Sequence, residues 1–244
     1  MTDKSILSAK ELTLISHKLR TPLSIINGYS EAVLSQADKE NFSPFTSKAL
    51  EEINKQGNRM SILVDKLMAF NQVFATNEAQ VEKQPIELKN LIKSCAPRAI
   101  DRAGETTPIK KANGTKYGTF VEIDCANQLS LLANPDMVRL AVEELLENAI
   151  KFNNKLEKII KVQVANHGDS ISISVRDYGV GIRPQDVSLI FEPFYQVDDY
   201  FTGQVNGWGL GLPMVQRILN LHKGSISVVS DRGLGSIFTL SFPL

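Results

Sequence analysis

His17 and Thr21 stand four residues apart in the run SHKLRTPL (16–23), so on a helix they share one face. A neutral imidazole offers a ring-nitrogen lone pair near physiological pH and can shed its other ring proton as a new bond forms, which makes His17 a candidate nucleophile. A lone helical histidine is more often structural, so this reading depends on what else the chain carries. Glu144, Asn148 and Lys151, within EELLENAIKF (143–152), recur at helical steps and put a carboxylate, an amide oxygen and an ammonium on one face. Alone, such a string is usually a solvated charged face. Asp177, Gly179 and Gly181 in DYGVGI (177–182) follow an alternating run, where glycines permit a tight turn and a close approach to the backbone. Gly207, Gly209 and Gly211 in GWGLGL (207–212) open a helix, so free N–H groups can cradle an anion there.

Two long helices must carry the first group. Over about 5–35 apolar residues fall at helical three-and-four steps, among them Leu7, Leu14, Ile25 and Ala32 with Leu12, Ile15 and Leu19 beside them, with Pro22 inside and a bend expected after His17. After the breaker-rich QADKENFSPF, a second helix is expected over about 45–75, with Leu50, Ile53, Gly57, Met60, Val64, Leu67 and Phe74 at heptad-like intervals. Two antiparallel helices cannot cover their own apolar faces, so an all-α hairpin pairing as a homodimer into a four-helix bundle is expected. The polar stretch near 75–83 reads as a linker, giving domains 1–78 and 79–244.

Beyond it the texture changes. PIEL reads as a strand, 88–103 as a helix interrupted near Pro97, and GETTPIKKANGTKYG as an exposed loop. TFVEIDC alternates as a strand, and Pro135 opens an amphipathic helix capped by Asn134. IIKVQVAN and SISISVRD meet across HGD as a hairpin; LPMVQRILNLH is helical, and SISVVS and SIFTLSF are strands. The mixed order argues for an α+β two-layer sandwich over a doubly wound sheet.

Composition sets outer bounds. The chain has 244 residues, is 43% hydrophobic and 22% charged, and its 27 basic residues balance 27 acidic ones, so no global field collects nucleic acid. Cys95 and Cys125 lack metal or disulfide spacing and read as packing residues in a reducing compartment. No signal peptide or membrane segment is seen, which fits either a cytoplasmic protein or the cytoplasmic portion of a longer receptor.

In order, SHKLRTPL, EELLENAIKF, DYGVGI, IFEPFYQ (190–196), GWGLGL and GLGS (233–236) resemble the phosphoacceptor, N, G1, F, G2 and closing boxes of two-component sensor histidine kinases. The resemblance implies a dimerisation and histidine-phosphotransfer hairpin followed by a Bergerat-type, GHKL-class ATP-binding domain. His17 matches the phosphoacceptor and Thr21 the residue associated with dephosphorylating the partner. Asn148 matches the Mg²⁺ ligand and Lys151 a phosphate contact; Phe152 lies against the nucleotide, and Asp177 would accept from the adenine amino group. Ser236 would help hold the adenine end, Phe191 and Phe194 would support a lid over 197–207, and His222 is read as structural. An amide oxygen is a suitable ligand for Mg²⁺, which favours oxygen donors.

The expected activity is autophosphorylation of His17 from ATP and transfer to an aspartate on a response regulator receiver domain. Lys18 stands where the family usually has a carboxylate, Glu144 where it often has Asn, and Gln196 where it often has Arg or Lys. Three readings therefore stay open: an active kinase using Glu144 or water as proton acceptor, a weak kinase acting mainly as a Thr21-dependent phosphatase or a regulated dimeric scaffold, and a gyrase-like ATPase switch.

Overall fold

In a computed structural model the chain divides into two compact units, Met1–Ala75 and Thr76–Leu244. The structure describes residues 9–34, 43–105, 109–110, 116–197 and 207–244, with the backbone alone for 9–18, 109–110 and 116–117. The first unit is a hairpin of α1 (Ala9–Leu34) and α2 (Pro44–Ala75). Pro22 sits within α1 without ending it. Ser43 caps α2, its Oγ accepting from the Thr46 N–H at 3.1 Å, and Pro44 takes the first position, where the missing donor costs nothing.

Among the described side chains, each hairpin helix buries one set of residues and leaves another, apolar set exposed. Leu23 and Ser30 on α1 and Gly57 and Val64 on α2 are buried, whereas Ile25, Ile26, Tyr29, Ile53, Met60 and Ile62 are exposed. Polar contacts fix the register. The Asn27 amide donates to Asn58 Oδ1 at 2.9 Å, Asn58 to Asn54 Oδ1 at 2.8 Å, and Asn54 to Ser30 Oγ at 3.2 Å. Gly57 makes room for them, since a Cβ there would overlap Asn27 Oδ1. Nearer the His17 end, Arg20 pairs with Asp65 across the helices at 2.7 Å.

The second unit lays helices against one face of a sheet. Its elements are β1 (Gln84–Glu87), α3 (Leu88–Arg102), β2 (Ile109–Lys110), β3 (Lys116–Asp124), β4 (Ser130–Ala133), α4 (Pro135–Lys151), β5 (Glu157–Asn166), β6 (Ser170–Arg176), α5 (Gly211–Leu221), β7 (Ser225–Asp231) and β8 (Gly235–Pro243). Six strands run in the order β2-β3-β5-β6-β8-β7, antiparallel except for β3 beside β5, and β1 pairs separately with β4. Inward residues Ile160, Val162, Ile171, Ile173, Val175, Phe238, Leu240 and Phe242 meet Val138, Val142, Leu145, Leu146, Met214, Val215 and Ile218 of α4 and α5, all buried. This is the expected two-layer α+β sandwich. Among the described residues no helix is long and apolar enough to cross a membrane.

Two local expectations are corrected, and one short strand is added. α3 is not interrupted at Pro97: Lys93 and Pro97 share the exposed side of the helix, so the missing hydrogen bond falls at the solvated edge. The stretch read as an exposed loop contributes Ile109–Lys110, paired with Lys116–Tyr117; residues 106–108 and 111–115 lie outside the described set. β4 went unread because four residues give alternation too little length to register.

Leu146 is fully buried between α4 and the sheet. Leu146→Ala should lower the stability of the second unit by about 2–5 kcal/mol. Urea unfolding followed by near-UV signals of that unit measures it, with the hairpin's helical melting left in place.

Candidate functional site

α4 forms because Asn134 caps it, its Oδ1 accepting from the Met137 N–H at 3.0 Å ahead of Pro135, and because its apolar stripe faces the sheet. This helix carries three of the candidate residues. Glu144 is buried, Asn148 is half-buried, and Lys151 lies in the last turn, where its Nζ meets Glu147 Oε2 at 3.0 Å. Glu147, itself buried, is shared with Arg102 at 3.5 Å, and Arg102 reaches Glu143 at 2.8 Å. The phosphate-type cation of the sequence reading is therefore stationed on the helix by its own carboxylate neighbour.

Where α4 ends, the DYGVGI loop meets it. Phe152 caps the helix, and its carbonyl accepts from the Val180 N–H at 3.0 Å. Gly179 is glycine because a Cβ there would overlap that carbonyl. Asp177, 6% exposed, has its Oδ1 fixed by the N–H groups of Gly179 at 2.8 Å and Ser236 at 3.3 Å. Its own N–H donates to the Ser236 carbonyl at 2.9 Å. Burial raises the Asp177 carboxyl above its ordinary value, against the pull of those two N–H groups and of Lys155. Gly181 packs against the Asp231 carbonyl, and Ser230 Oγ ties the Ile182 N–H (2.8 Å), Ser236 Oγ (2.9 Å) and the Gly235 carbonyl (3.1 Å) together. The G1 and closing segments are thus one hydrogen-bonded floor.

The glycine-rich turn before α5 closes another side. Gly209 has φ +66, and a Cβ there would fall 2.6 Å from the Phe194 carbonyl carbon, so two independent demands select glycine. The Phe194 N–H donates to the Gly209 carbonyl at 2.8 Å, and the Gln196 amide to the Gly207 carbonyl at 3.2 Å. Gly211, the first residue of α5, lies against the Glu144 carboxylate, where the positive helix end favours negative charge. No described atom crowds Gly207. Phe191 is half-buried and Phe194 is 62% exposed with φ +67, so Phe194 is held by its backbone and not by apolar burial. The lid expected over 197–207 falls, for 198–206, outside the described residues.

The support around Asp186 was absent from the sequence reading. Arg183 Nε and the Tyr195 hydroxyl donate to buried Asp186 at 2.6 and 2.9 Å, and the guanidinium holds that carboxyl below its usual range. Only their spacing in the segment after G1 could have hinted at this. His222 was read as structural, and the structure shows how: Nδ1 lies 2.8 Å from the Ile218 carbonyl while Nε2 accepts from the Asn134 N–H at 3.1 Å. That pattern needs the neutral ring protonated on Nδ1, and burial lowers its pKa.

Residues 133–244 match the family model described as histidine kinase-, DNA gyrase B- and HSP90-like ATPase, and residues 9–73 match the His kinase A (phospho-acceptor) domain. The chain belongs to the sensor histidine kinases. The phosphate regulon sensor protein PhoR of Pseudomonas aeruginosa is 28% identical over 228 residues, covering 93% of this chain and 48% of the relative. The sensor histidine kinase RcsC of Salmonella typhimurium is 30% identical over 233 residues, covering 96% and 23%. This histidine kinase chain thus spans about half or less of those relatives. Among solved structures, full-length ShkA in complex with AMPPNP has a TM-score of 0.72 at 23% identity, covering 97% of this chain and 46% of that one, which shows the shared fold.

The structure brings Asn148, Lys151, Phe152, Asp177, Gly179, Gly181, Gly207, Gly209, Gly211, Glu144 and Ser236 together in one unit of this kinase chain. Thr21 is exposed on α1 of the other unit. His17 and Lys18 lie in α1, and their side chains are outside the described residues.

Two pH effects follow with opposite signs. His222, lowered from about 6.5, contributes stability that is present above that value and lost as pH falls toward its lowered pKa. Asp177, raised from 3.8, contributes stability present below 3.8 and lost as pH rises through its raised value, so at pH 7 its charge costs stability. Asp177→Asn keeps an oxygen for both backbone donors, and should leave the unit as stable or more stable at pH 7. Denaturant titrations at pH 4 and 7 measure this.

Proposed function

We propose that the second unit binds ATP and Mg²⁺ and that the chain autophosphorylates on His17, then passes the group to an aspartate of a response regulator receiver domain. The observation that carries the binding half is the Asp177 floor. A buried carboxylate with Oδ1 fixed by two N–H groups leaves Oδ2 as an acceptor, which suits the exocyclic amine of adenine. The other end of the site offers what a triphosphate needs: Lys151, the Gly207 turn and the start of α5.

The donor set fits a hard cation. Asn148 offers a half-buried amide oxygen, and among the described residues no cluster of three His, Cys, Asp or Glu could hold a metal alone, so Mg²⁺ here would rely on Asn148 and the phosphates. Bound, the ion would neutralise charge on the transferring phosphoryl group. Lys151 leaves Glu147 for phosphate, and Glu147 keeps Arg102.

In the transfer, the bond between the γ-phosphorus and the β,γ-bridging oxygen breaks as a ring nitrogen of His17 bonds to phosphorus. ADP departs, and the imidazole proton must leave. Lys18 has no acceptor. Glu144 is buried against the start of α5, which supports water as the proton's destination. The exposed apolar faces of α1 and α2 support a homodimeric four-helix bundle, and exposed Thr21 suits a role in dephosphorylating the regulator.

Incubation with γ-labelled ATP tests the proposal. The expected label is acid-labile, alkali-stable and abolished in His17→Gln; steady phosphate release without labelled protein would instead mean an ATPase switch. Lys18→Glu should raise the labelling rate about tenfold or more if the missing base limits it. Asp177→Asn should weaken nucleotide binding by about tenfold or more.

A further inference from the structure

The segment that joins the two units, read from its polar composition as a linker, is fastened to the second unit at several points. Arg217, on α5, donates from a guanidinium nitrogen to the Thr76 carbonyl at 2.8 Å. Asn134, at the cap of α4, donates from Nδ2 to the Glu82 carbonyl at 3.1 Å. Between those points lie a short 3₁₀ turn, Glu78–Gln80, closed by a capping box on Asn77, and a pair between Lys223 and Glu78 at 3.0 Å. Thr76 accordingly belongs with the second unit, beginning one residue after α2 ends.

The residues that grip this strap sit on the two helices that carry the phosphate end of the site. α5 starts at Gly211 and presents Arg217 less than two turns later; its C-cap residue, His222, holds the Asn134 N–H. Arg217 Nε is buried and has no partner among the described residues, so the side chain accepts an unsatisfied donor in order to reach Thr76. The Lys223 pair is exposed on both sides and adds little.

We propose that Arg217 is a positioning residue for phosphoryl transfer: by locking Thr76 to α5 it makes the strap part of the nucleotide-binding unit and confines the pivot to the Ala75–Thr76 junction. The helix that receives the phosphates then also governs where the chain leaves for the hairpin. Without the grip the strap becomes slack, and the nucleotide is bound as before but is presented to His17 over a wider range of orientations. This rests on the kinase reading given above.

The full-length chain should be compared as wild type, Arg217→Ala, Arg217→Lys and Lys223→Ala. Three quantities are measured: affinity for an ATP analogue, the rate of His17 labelling at saturating ATP, and hydrogen exchange at the amides of 77–81. Arg217→Ala should slow labelling about tenfold or more while affinity stays within about twofold and strap amides lose protection. Arg217→Lys, which keeps a charged donor but loses the planar fork, should recover part of the rate, and Lys223→Ala should match wild type. Labelling at the wild-type rate in Arg217→Ala, or a loss of affinity that parallels the loss of rate, overturns the proposal. If wild type itself takes no label, the kinase reading fails, and the exchange measurement still decides the grip: unchanged protection in Arg217→Ala refutes it.

Discussion

Burying a carboxylate demands donors, and around Asp177 the donors are backbone groups from two separate segments. Gly179 must turn back onto its own loop and Ser236 must arrive from the last strand, so the β6 exit, the α4 terminus and the β7–β8 hairpin have to converge within hydrogen-bond distance. The closeness excludes side chains where the backbones pass. Once this convergence exists, Oδ1 of Asp177 is held by both segments, and the other carboxylate oxygen is left for the proposed ligand.

The two units meet different physical demands. The sandwich is closed on itself: its inward strand residues and its helices bury one another, and charged groups such as Glu143 and Glu147 are buried only with Arg102 and Lys151 beside them. A buried carboxylate without such partners would be strongly unfavourable. The hairpin is open by comparison. Its asparagine and serine contacts set how α1 lies along α2, yet they leave Ile25, Tyr29, Ile53 and Met60 facing outward. A second hairpin is the covering that such faces fit.

Periodicity made the helices and most strands legible, because burial on one face leaves a repeat of 3.6 or 2 in the sequence. It failed where it must. β4 is four residues long, Pro97 is a breaker by type but harmless on a solvated edge, and Ile109–Lys110 pair as a strand inside a run whose composition reads as loop. The proposed site residues were picked out by resemblance and spacing. What the chain could not display is who holds whom: that Lys151 rests on Glu147, that Ser230 joins three segments, or that the supposed linker is tied down by Arg217. These contacts join residues with no regular spacing, so no pattern announces them.

In the proposed function the Asp177 carboxylate, Asn148 and the α5 turn form one nucleotide pocket. Amide chemical shifts of the full chain, recorded while a non-hydrolysable ATP analogue is added with and without Mg²⁺, test it most directly. Saturable shifts are expected at Gly179, Ser236, Gly207 and Gly211, with those near Asn148 requiring Mg²⁺. Saturable shifts confined to other surfaces, or none at millimolar analogue, would contradict it.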